Sequence, residues 1–136
     1  MLSKMNYDDI VTRVTLWVSA SSALTDYVNN RILCNMEPGD TKSLILGLYH
    51  NTNKLGNEID ILLFNASLYG AGPGKLEKLY DLTGKYLEAL QMLYITIGRD
   101  EYDQQMTYLK ECVSSPDYRE TAEDLLEPFY KTVSSG

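Results

Sequence analysis

Residues able to carry conventional site chemistry are scarce in this sequence. One histidine, His50, and two cysteines, Cys34 and Cys112, stand among 136 residues. A lone imidazole with no signature around any serine or cysteine does not form a nucleophile–base pair. No Glu-x-x-His pair occurs, so the local pattern of di-iron carboxylate bundles is absent. The spacing of Cys34, His50 and Cys112 matches no zinc pattern. The cysteines lie far apart and outside any C-x-x-C pair, so they read as reduced, small hydrophobes suited to a cytoplasmic compartment. One disulfide joining the two halves of the chain is the alternative.

Long apolar runs are missing too. No stretch approaches 18 apolar residues, which argues against a transmembrane helix. Val14 to Leu24 is mildly apolar, but Asp8 and Asp9 offset Lys4 and Arg13, and Thr15, Ser19, Ser21 and Ser22 interrupt it. It does not read as a secretion signal. Gly74-Lys75 invites a phosphate-loop reading, but Tyr69 stands where a glycine is needed and Leu76 where a serine or threonine is needed. A helix rather than a strand is expected before that loop. No cofactor and no metal are therefore expected, and the chain does not read as an enzyme. A dispersed catalytic site would need residues that converge only in space.

What remains is the composition of one globular domain over 1–136. Hydrophobic residues are 44% and charged residues 23%, close to globular norms, and the length supports a core without disulfides or metal. Apolar residues recur at helical spacing in five segments. Asn6 caps the first, 6–33, whose stripe is Ile10, Val14, Trp17, Leu24, Val28 and Ile32, with Ser21 in one gap. Pro38-Gly39 breaks it, and a second helix over 41–69 carries Leu44, Leu48, Leu55, Ile59, Leu62 and Ala66. Gly47 and Gly56 within it suggest a close helix approach or a kink. Gly70 to Gly74 is the strongest loop. The third helix, 73–97, has a wide stripe that includes Leu79, Tyr80, Tyr86, Leu87, Leu90, Leu93 and Tyr94, as expected of a helix with several neighbours. A fourth over 100–113 turns Tyr102, Met106, Leu109 and Val113 inward. Ser115-Pro116-Asp117 starts a fifth, ending near Val133, which Pro128 should bend or end locally. The expected fold is all-α, a compact antiparallel bundle of four to five helices.

Charge is segregated. The net charge is −7. Residues 100–127 hold nine acids against only Lys110 and Arg119, and the rest of the chain balances at ten of each sign. Such a field repels nucleic acid and anionic membranes and favours a basic partner. Tyrosine is unusually common, eleven against two Phe and one Trp, and tyrosine is favoured at interfaces. Together these features point to a non-catalytic protein-binding bundle, a regulatory, inhibitory or adaptor protein. Its expected contact residues are Tyr102, Asp103, Tyr118, Glu120, Glu123, Asp124, Glu127 and Tyr130. The alternative is a small-molecule or nucleotide-like ligand held in a cleft between helices, lined by tyrosines and the Gly47/Gly56 face. Met5, Trp17, Val11, Leu16 and Val18 exceed what one apolar stripe needs, which suggests a homodimer through residues 5–28.

Overall fold

A computed structural model describes residues 6–135, with side chains through Tyr130. Its elements are α1 (Tyr7–Val28), α2 (Asp40–Tyr69), α3 (Lys75–Ile97), α4 (Arg99–Val113) and α5 (Pro116–Ser135), with no strand among the described residues. The Asn6 side chain accepts from the Asp8 amide at 2.8 Å and caps α1. The first helix is not uniform to residue 33 as expected. After Val28 it widens into a π-helical turn, Asn29–Leu33, closed by the Cys34 amide on the Asn29 carbonyl at 3.1 Å. Ile32 nevertheless stays in the core.

Helix α1 runs through the middle of the bundle, against α3, α4 and α5 and, more lightly, α2. This position buries the expected stripe and a second set beside it: Val11, Thr15, Ser19 and Ala20. The apolar surplus that suggested a dimer through residues 5–28 is thus divided between the core and its partly buried edge. Val11 and Trp17 are core residues, and Leu16 and Val18 pack against the core. Met5 lies outside the described residues. The buried hydroxyls of Thr15, Ser19, Thr52 and Thr83 each donate to the carbonyl four residues back, at 2.7–2.9 Å, so they add no unpaired group to the core.

Helices α2 and α3 form an antiparallel hairpin. Gly70 (φ 79°) and Gly74 (φ 82°) take the left-handed conformations that end α2 and start α3. Helix α3 is the second interior element, packed on α2, α4 and α1. It runs parallel to α1. The Arg13 guanidinium lies 3.6 Å from the Tyr80 ring centre and donates to the Tyr80 carbonyl at 2.9 Å. About four turns further along, Tyr27 meets Tyr94 edge-on at 5.3 Å. Glu101 ties the start of α4 to α1, accepting from the Tyr27 hydroxyl at 2.8 Å and pairing with Arg31 at 3.5 Å.

The stripe of α2 differs from the expected one. Leu44 is exposed and Leu48 and Leu55 are only half-buried, while Ile45, Thr52 and Leu63 join Ile59, Leu62 and Ala66 inside. Leu44, Ile45 and Leu46 are consecutive, so periodicity alone does not say which faces in. Helix α5 continues through Pro128 and packs mainly on α1 through Ala122, Leu126 and Phe129.

Candidate functional site

The acidic, tyrosine-rich C-terminal residues do not converge on a single pocket. Tyr102 and Asp103 lie on α4, at a cleft of about 670 Å³ between α1, α3 and α4 that also includes Leu16, Leu87, Met106 and Lys110. Asp103 pairs with Arg99 at 3.5 Å. The other expected residues lie on α5. Tyr118 is half-buried beside Tyr108, and the Tyr108 phenol is pushed well above its ordinary pKa, first by hydrogen bonding to Tyr118 and then by Cys112. Glu123 pairs with Arg119 at 3.6 Å, and Arg119 reaches Asp8 at 2.9 Å. Tyr130 meets Tyr7 edge-on at 5.1 Å, and burial raises the pKa of both phenols. Two of these tyrosines thus meet neighbouring helices from α5, Tyr118 on α4 and Tyr130 on α1. Glu120, Asp124 and Glu127 stay exposed, as do Asp100, Glu111 and Asp117.

A different surface was missed by the sequence reading. Ile61, Phe64, Leu68 and Tyr69 are 60%, 61%, 57% and 82% exposed. The first three are spaced i, i+3, i+7 and so share one side of α2. Ile59, Leu62, Leu63 and Ala66 fill the opposite side, in the core. The signal was available: a helix apolar on both sides is either interior or partnered.

The residues of conventional chemistry stay apart. Cys34 is exposed, Cys112 is buried, and both are free thiols. His50 is exposed and rests against Tyr49. Among the described residues, no three His, Cys, Asp or Glu side chains come together as metal ligands, and no helix is long and apolar enough to cross a membrane. Gly56 lies against Tyr86 and Trp17, whereas Gly47 faces open space, so only one of the two glycines marks a close approach. No family model, curated protein or solved structure matches the chain.

Proposed function

We propose that the protein is a non-catalytic binding bundle that seats a basic protein partner on the outward side of α2, with the acids of α4 and α5 steering the encounter. The observation that carries this reading is the row Ile61, Phe64 and Leu68 on one side of α2, with Tyr69 beside it at the helix end, each more than half exposed. Fully burying a Phe, Leu or Ile is worth roughly 1.5–3 kcal/mol each. With more than half of each side chain still to be covered, the row offers several kcal/mol, enough for the apolar centre of an interface.

Charge selects the occupant. At a net charge of −7, a second copy is disfavoured by repulsion, and a basic partner is favoured. Asp100, Glu111, Asp117, Glu120 and Asp124 carry no ion pair among the described residues, so their field is not cancelled locally. The reading is tested by comparative affinity capture with the native chain and with an Ile61→Ser/Phe64→Ser/Leu68→Ser variant, quantified at low and high salt. The expected result is a basic protein recovered by the native chain, lost by the variant and weakened by salt. Equal recovery by both chains would refute it. So would a native dimer in sedimentation that the variant breaks.

A further inference from the structure

Two buried donors are left unused by the fold. Trp17 is 8% and Tyr86 1% exposed, yet neither Trp17 Nε1 nor Tyr86 Oη has a hydrogen-bond partner in the protein. Both residues line one cleft of about 270 Å³ between α1, α2 and α3, together with Ser21, Asn53, Gly56, Asn57 and Asp60. Gly56 keeps the space before them open. A Cβ there would stand 3.2 Å from Tyr86 Cε1 and 3.6 Å from Trp17 Nε1.

The polarity of the cleft is ordered from floor to rim. An indole N–H only donates. Burial, together with Tyr94 and Tyr49, raises the Tyr86 pKa, so its phenol is protonated and can donate too. The floor therefore calls for an acceptor. Asn53, Asn57 and Asp60 share the α2 side of the rim at i, i+4 and i+7 spacing. Asp60 is exposed and in no ion pair among the described residues, so it accepts N–H groups and repels anions. The volume falls just below the ~300–1,000 Å³ of drug-sized pockets, which suits a one- or two-ring molecule.

We propose that this cleft binds a small uncharged amide or lactam, its carbonyl inward on Trp17 and Tyr86 and its N–H outward on Asp60. The site does not depend on the protein-binding reading above.

Trp17 is the sole tryptophan, so its indole N–H gives a single, identifiable resonance in a proton–nitrogen correlation spectrum. Titration with uracil, 2-pyridone and nicotinamide is the test, with benzoate (no N–H) and toluene (no acceptor) as controls. At least one amide should shift the indole resonance to saturation, and the controls should not. Tyr86→Phe should weaken binding about tenfold, the equivalent of one hydrogen bond. Gly56→Ala should abolish it, with the remaining spectrum showing that each variant is folded. The proposal is overturned by an absent or unsaturable shift with all three amides, by an equal response to toluene or benzoate, or by unchanged affinity in Tyr86→Phe. A crystal structure grown in saturating uracil with only water on the two donors would overturn it as well.

Discussion

Gly84→Ala sets three effects of similar size against one another at the α1–α3 seam. Gly84 lies inside α3, where alanine is worth about 1 kcal/mol over glycine. By that measure alone the substitution stabilises. However, a Cβ at this position would stand 2.6 Å from the Arg13 Nη1 atom, so the guanidinium must move. That same nitrogen donates to the Tyr80 carbonyl at 2.9 Å. A hydrogen bond from a charged donor contributes about 1.5–3 kcal/mol. The low end applies here, because the Tyr80 carbonyl also accepts from Thr83 at 3.0 Å and is not orphaned by the loss. The stacking of Arg13 on the Tyr80 ring adds about 0.5–1 kcal/mol. The losses thus exceed the helix gain, and Gly84→Ala should destabilise by about 1 kcal/mol. In an Arg13→Ala background nothing is displaced, and the same substitution should stabilise by about 1 kcal/mol. Urea unfolding of the four proteins of this cycle reads the sign change directly. Stabilisation by the full helix increment in both backgrounds would refute the packing described for Arg13.

Phe64→Ser should cost only about 1 kcal/mol, since Phe64 is already 61% exposed, whereas Leu63→Ala in the core should cost about 2–5 kcal/mol; urea midpoints in the reverse order would place Phe64 in the core. Tyr86→Phe should leave the stability of the free chain unchanged or slightly higher, because the hydroxyl it removes is buried without a protein partner; a loss above about 1 kcal/mol would show that the hydroxyl is satisfied. Burial and then Glu101 push the Tyr94 pKa up to about 12 from 10.0, and Tyr27 and Tyr86 shift in the same direction. Neutral phenols are favoured in the fold, so their contribution is whole below pH 10 and is lost as pH climbs toward 12, at up to about 1.4 kcal/mol per unit for each group. Unfolding midpoints should fall over that window, less steeply in Tyr94→Phe, and a flat profile would contradict the burial of these rings.

The helix ends were readable because they depend on local backbone chemistry. Pro38-Gly39, Gly70 to Gly74, Gly98 and Ser115-Pro116 all fall between or at the ends of helices. Which side of each helix faces inward was harder to read, because neighbours decide that. The extra apolar residues of α1 read as a dimer face, and in the fold Val11 and Trp17 are core residues while Leu16 and Val18 are partly buried against it. In α2 the consecutive Leu44, Ile45 and Leu46 left the rotation of the helix open. The functional surfaces were less legible still. Tyr118 and Tyr130 look like contact residues in composition, and in the fold they also meet Tyr108 of α4 and Tyr7 of α1. The cleft at Trp17 and Tyr86 joins residues 69 positions apart, and no spacing in the sequence announces it.

The measurement that bears most directly on the proposed function is the affinity of the captured basic partner for two variants, followed by calorimetry. Phe64→Ser/Leu68→Ser removes the centre of the α2 row, and Leu16→Ser/Met106→Ser alters the cleft between α1, α3 and α4. With roughly 1–2 kcal/mol lost per side chain, the first variant should bind about a hundredfold more weakly than the native chain. The second, if it folds, should bind as the native chain does. Unchanged affinity in the first variant, with a loss in the second, would contradict the account and move the interface to the other side of the bundle.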